Sequence, residues 1–110
     1  MESRAHLRDF RMAPRKVALV ANLVRGKPVG SALNILLYTR KAAAKPMAKL
    51  IRSAVANAGV EVEAAELYVK SCVVDGGPSM KRFRPVMRGM AHPFVRRTCH
   101  ITVELDRIEE

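Results

Sequence analysis

Lys81, Arg82, Arg84, Arg88, Arg96 and Arg97 place six positive charges in a stretch that holds no acidic residue between Asp75 and Glu104. Guanidinium and ammonium groups in that density neutralise a polyanion, and the flat guanidinium planes can also stack on exposed rings. Met80, Phe83, Val86, Met87, Met90, Phe94 and Val95 are interleaved with them, and Gly76, Gly77, Pro78, Pro85, Gly89 and Pro93 punctuate the run. The stretch is too basic to fold on itself without a counter-charge and too apolar for a solvated linker. It suits an arm that takes its order from folded nucleic acid.

Covalent chemistry finds no support. His6, His92 and His100 have no carboxylate at a spacing that would orient a general base, and Ser3, Ser31, Ser53, Ser71 and Ser79 lie in no nucleophile pattern. Cys99 and His100, as neighbours on a strand, point to opposite faces and are poor partners for one metal. The Gly76, Gly77, Pro78 run lacks the Lys and Ser/Thr of a phosphate-gripping nucleotide loop. No enzyme activity, cofactor, metal or small-molecule substrate is therefore expected. Cys72 and Cys99 read as buried small hydrophobes, since nothing indicates an oxidising compartment.

The formal charge of +10 on 110 residues is unevenly placed. Residues 1–60 carry a net +10 and residues 76–100 a net +6, whereas residues 61–75 and 101–110 each carry −3. Arg15, Lys16, Arg25 and Lys27 bracket one helical pattern, and Lys45, Lys49 and Arg52 recur along another; both groups are candidate phosphate contacts. The longest apolar runs, such as Val17 to Leu23, are too short to span a bilayer. The N-terminus has no uninterrupted apolar segment of signal-peptide length, so the protein is expected to stay where it is made, with no membrane partner.

The elements that must carry these residues are legible from periodicity. Ala5 and Leu7 alternate with Arg4, His6 and Arg8, as on a half-buried strand over 3–10. Pro14 opens a helix in which Val17, Val20, Ala21 and Val24 recur at three and four, with Gly26 as its stop. A second helix is expected from about Pro28 to Tyr38 and a third from about Ala42 to Ala58, ended by Gly59. Leu67 to Val74 and Thr98 to Leu105 read as two strands of one sheet, the latter alternating cleanly. The fold class is thus α+β: a small three-stranded antiparallel sheet packed on three helices, in a single domain over 1–110. The connection between the last two strands is about 23 residues, far beyond an ordinary hairpin loop. As an extended arm over about 76–98 it would project on the order of 30 Å, with Gly89 near its tip.

The run GPSMKRFRPVMRGMAHPFVRRTCHITVEL, preceded by MAPRKVALVANLVRGK and ALNILLYTRKAA, closely resembles the large-subunit ribosomal protein L22 family of bacteria and organelles. The resemblance covers essentially the whole chain. It implies a domain on the large-subunit surface near the tunnel exit, and a long β-hairpin that threads through rRNA and lines the nascent-peptide exit tunnel. It also implies a part in subunit assembly, in the cytoplasm, with rRNA, neighbouring ribosomal proteins and the nascent polypeptide as partners. On this chain the hairpin would begin at Gly77, Pro78, Lys81 and Arg82, turn at a tip formed by Met87, Arg88, Gly89, Met90 and Ala91, and return through Arg96, Arg97, Thr98 and His100. Where relatives usually have Arg this chain has Val86 and Met90; Arg84 stands where an apolar residue is common, and Cys99 where Ser is usual. Pro93 in the returning strand is expected to break or bend the pairing near the tip. The rival reading is a free-standing RNA-binding or RNA-chaperone module.

Overall fold

The computed structural model describes residues 2–59, 64–85 and 91–108. In chain order the elements are β1 (Glu2–Phe10), α1 (Pro14–Val24), α2 (Val29–Tyr38), α3 (Ala44–Asn57), a short 3-10 turn (Ala64–Glu66), β2 (Leu67–Gly76), β3 (Met80–Pro85), β4 (Ala91–Arg96) and β5 (Cys99–Arg107). β1, β5 and β2 form an antiparallel sheet in that order, and β3 and β4 pair separately as a two-stranded ribbon. The α+β class holds, with the three helices and the three-stranded sheet where the periodicity put them.

Alternation decides the central strand. Cys99, Ile101, Val103 and Leu105 of β5 are buried against the helices, whereas His100, Thr102, Glu104 and Asp106 are half-exposed. Val17, Val20, Ala21 and Val24 of α1, Val29, Ala32 and Leu36 of α2, and Met47, Leu50, Ile51 and Ala54 of α3 close the core from the other side. Burial of each such side chain contributes roughly 1.5–3 kcal/mol, which explains why helices without a side-chain cap at any N-terminus still form.

Two irregularities were not evident from pattern alone. In β2 the buried residues run Leu67, Val69 and then Cys72, a change of parity that would turn one half of the strand outward. A register shift between Val69 and Ser71 absorbs it, with Lys70 as the extra, exposed residue of a bulge. β1 shifts register between Leu7 and Phe10, where Asp9 adopts φ 55°. Aspartate is one of the few residues that tolerates that region.

The third helix starts at Ala44 and not at Ala42. A helix begun at Ala42 would place Pro46 where an N–H must bond the Ala42 carbonyl; begun at Ala44, it puts Pro46 among the first-turn positions whose N–H groups have no intrahelical acceptor. Gly26, at φ 80°, turns the chain after α1, and its N–H donates to the Val69 carbonyl at 2.9 Å while Val69 N–H donates to the Lys27 carbonyl at 2.9 Å. The α1–α2 turn therefore covers part of the β2 edge.

Cys72 and Cys99 are both free and buried, as expected from their apolar surroundings. Burial pushes the Cys72 thiol up to about 11, the Arg25 charge opposing this only in part, and burial raises Cys99 as well. Cys72 Sγ lies 3.7 Å from Met47 Sδ, a packing contact of two soft atoms inside the core.

The ribbon runs in continuous register from Met80↔Arg96 to Pro85↔Ala91, so the expected break at Pro93 does not occur. Pro93 faces Phe83 and Pro85 faces Ala91, two pairs of the same parity. Antiparallel ladders bond through alternate pairs only, so both prolines occupy positions whose N–H would point away from the partner strand. The expected turn residues Val86, Met87, Arg88, Gly89 and Met90 lie outside the described residues.

The radius of gyration is 17.1 Å and the principal extents are 66 × 24 × 19 Å. A compact chain of this length would have a radius of about 13 Å, so the ribbon stands well clear of the sheet and helices. An isolated two-stranded ribbon is marginal in water. In the free protein, amide exchange over 80–85 and 91–96 is expected to run far faster than in β1, β2 and β5. Equal protection in both sheets would show that the ribbon is stabilised by the fold itself.

Candidate nucleic-acid interface

The base of the ribbon is fixed by local bonds. Gly77 N–H donates to the Thr98 carbonyl at 2.9 Å, and the Thr98 hydroxyl, in a residue only 3 % exposed, donates to the Pro78 carbonyl at 2.6 Å. A Cβ on Gly77 would lie 2.6 Å from Thr98 Oγ1 and 3.3 Å from His100 Cε1. The two chains leaving the sheet can approach this closely because one of them has no side chain. Arg96 and Arg97, both exposed, follow directly on the returning side.

Those two arginines meet the helical layer across an open groove of 580 Å³. Arg11, Met12, Ala13, Lys16 and Leu19 form one wall, and Lys41, Ala42 and Ala43 of the α2–α3 connection form another. Five cations line it, Arg11, Lys16, Lys41, Arg96 and Arg97, and no acid does. Lys41 also belongs to a second groove, where Lys45, Lys49 and Arg52 rise along α3 against Leu36, Leu37, Thr39 and Ala48. Four residues of helix advance about 6 Å, so Lys45 and Lys49 space their charges along α3, and Lys41 in the preceding connection joins them in the same groove. The two grooves make a single cationic track from the ribbon base to the middle of α3.

Acids are segregated from this track. Among the described residues, Glu2, Asp9, Glu66, Asp75, Glu104 and Asp106 all lie on β1, β2, β5 or the 3-10 turn. There Arg4 pairs with Glu104 at 2.9 Å and Arg107 with Glu66 at 3.6 Å. Arg4 and Arg107 are thus balanced locally, whereas the three α-helices carry no acid at all. Such an uneven surface attracts polyanions over about one Debye length of ~8 Å at physiological salt.

The residues singled out in the sequence therefore divide. Lys16, Lys45, Lys49, Arg52, Arg96 and Arg97 are brought together on the track. Arg15 is exposed in the first turn of α1 but lines neither groove. Arg25 holds the fold, donating from Nη2 to the Cys72 carbonyl and from Nη1 to Asn22 Oδ1, each at 2.6 Å. Lys27 is exposed at the far end of α1. His100 Nδ1 accepts the Asp9 N–H at 3.1 Å, so its ring braces the β1 bulge. Lys81, Arg82 and Arg84 sit on β3, while Arg88 lies outside the described residues. Arg11 and Lys41 were missed. A usable signal existed, because no acid occurs between Asp9 and Glu61, and Lys41 precedes the Lys45, Lys49, Arg52 series by the same four-residue spacing in the sequence.

Among the described residues no group of His, Cys, Asp and Glu could hold a metal ion, and no helix is long and apolar enough to cross a membrane. The fold and track define a small basic α+β domain that carries a two-stranded ribbon and gathers cations from the ribbon base along α3. The chain belongs to the ribosomal protein L22p/L17e family, whose pattern it matches over residues 5–106. It is 54 % identical over 109 residues to the large ribosomal subunit protein uL22 of Myxococcus xanthus, covering 96 % of each chain. It is also 54 % identical over 104 residues to the protein of that name from Anaeromyxobacter sp. (strain Fw109-5), covering 92 % of this chain and 72 % of that one. For the Lactobacillus delbrueckii subsp. bulgaricus protein the identity is 46 % over 110 residues, covering 98 % and 94 %. The family is structural and non-enzymatic, in line with the lack of a catalytic constellation in the sequence.

Proposed function

We propose that this chain is a structural component of the large ribosomal subunit that binds large-subunit rRNA, assists its assembly, and lines the nascent-peptide exit tunnel with the β3–β4 ribbon. The observation that carries the reading is the acid-free track in which Arg11, Lys16, Lys41, Arg96 and Arg97 converge at the ribbon base. Phosphates of two RNA segments that would otherwise repel can be held there, one by the helical surface and one by the cations of the ribbon. The relatives' names supply the particle, and the ribbon's reach beyond the domain fits a path into its interior. The chain then acts as one unit over 1–110, with its arm at about 76–98, beside neighbouring ribosomal proteins in the cytoplasm.

Recognition of this kind is electrostatic and strongly dependent on salt. With ~8 phosphates neutralised, the log-log slope of affinity for an rRNA fragment against salt is expected on the order of −6 to −7. A filter-binding titration measures it, and a slope near zero would contradict the proposal. Sedimentation distinguishes a free RNA chaperone, which washes off at high salt, from a subunit component, which travels with the particle in stoichiometric amount.

A further inference from the structure

Tyr38 is 82 % exposed and Leu37 is 71 % exposed at the C-terminal end of α2. The chain has two tyrosines, three phenylalanines and no tryptophan, so placing one of its few aromatic rings in solvent forgoes core burial. The ring is carried on a fixed backbone. Thr39 leaves the helix in an extended conformation, its N–H donates to the Leu36 carbonyl at 3.3 Å, and its hydroxyl donates to the Ile35 carbonyl at 2.6 Å. Leu37 and Thr39, the neighbours of Tyr38 on either side, line the groove that holds Lys41, Lys45, Lys49 and Arg52. Tyr38 itself does not line that groove, but its backbone is held between two residues that do, at the rim of the row of cations. An exposed ring on such a rim suits an unpaired nucleotide, with phosphates on the cations and a base on the ring.

We propose that Tyr38 is a stacking platform for one unpaired base of an RNA strand whose phosphates follow the cations of α3. This rests on the RNA-binding reading above and adds to it a single-stranded ligand at a defined place. A protein partner on Leu37 and Tyr38 is disfavoured because Leu37 shares its groove with Lys41, Lys45, Lys49 and Arg52, and no acid lies on α2 or α3.

The test uses the full chain and a mixed-sequence RNA of about twelve nucleotides, presented as a single strand and as a duplex. Tyr38→Ala should lower affinity for the single strand on the order of ten-fold or more, with the salt slope unchanged because no cation is removed. Tyr38→Phe should bind like the parent. Tyr38→Trp provides the chain's sole indole, whose fluorescence should be quenched by the single strand and much less by the duplex. Unchanged binding by Tyr38→Ala, or equal quenching by both RNAs, overturns the stacking assignment alone. Failure of the parent chain to bind either RNA overturns the broader reading with it.

Discussion

Reversing Lys41 and Arg97 together to glutamate is expected to weaken rRNA binding on the order of a hundred-fold at physiological salt and to lower the magnitude of the salt slope by about two. Both side chains are exposed, and both line the groove at the ribbon base. On the proposed function, each reversal would remove one phosphate contact and add a repulsion in the groove at the ribbon base. The thermal transition should hardly move, since neither residue contributes to the core. The same reversal at Lys27 supplies the comparison. It lies beyond the C-terminal end of α1, which itself runs about 8 Å past the last groove residue, Leu19, and should cost far less. Equal losses at Lys27 and at the pair would show that net charge alone, and not the groove, governs binding.

Gly77→Ala is expected to destabilise the fold by roughly 1–3 kcal/mol, through overpacking at the ribbon base. The new methyl group would stand 2.6 Å from Thr98 Oγ1, which is buried and tied to the Pro78 carbonyl. Thr98 can relieve the overlap only by rotating away and leaving that carbonyl without its donor. Thr98→Ala alone loses the same bond, so the double substitution should cost less than the sum of the singles. Denaturant melts of the four proteins measure this coupling. Strict additivity would mean that the two residues do not share the contact.

Much of this architecture could be read from residue order because burial here follows simple periods. The 3.6-residue recurrence of Val17, Val20, Ala21 and Val24 and the two-residue recurrence of Cys99, Ile101, Val103 and Leu105 each leave one assignment open. The bulge at Lys70 was hidden because it reveals itself only when β2 is set against β5. Pro93 misled for a related reason. A proline's effect on a ladder depends on which parity faces the partner, and that is fixed by the whole register from Met80 to Arg96.

The candidate site was legible where charges repeat along one element and illegible where the chain folds two connections together. Lys45, Lys49 and Arg52 announce themselves on α3. Arg11 and Lys41 lie in separate connections thirty residues apart in number, and only the fold, which brings both connections beside Arg96 and Arg97, sets them in one groove. Conversely, Arg25 and His100 carry the right chemistry for phosphate yet are committed to the Cys72 carbonyl and the Asp9 amide.

The strand order β1-β5-β2 has a consequence for biosynthesis. Neither of the earlier sheet strands touches the other; each finds its partner only in the strand that follows every other described strand, as the His6–Thr102 bond across 96 positions illustrates. While the polypeptide is being made, helices can form but the sheet has no template. Closure must await emergence of the segment from Cys99 onward, so the newborn chain acquires its final shape late and in one cooperative step.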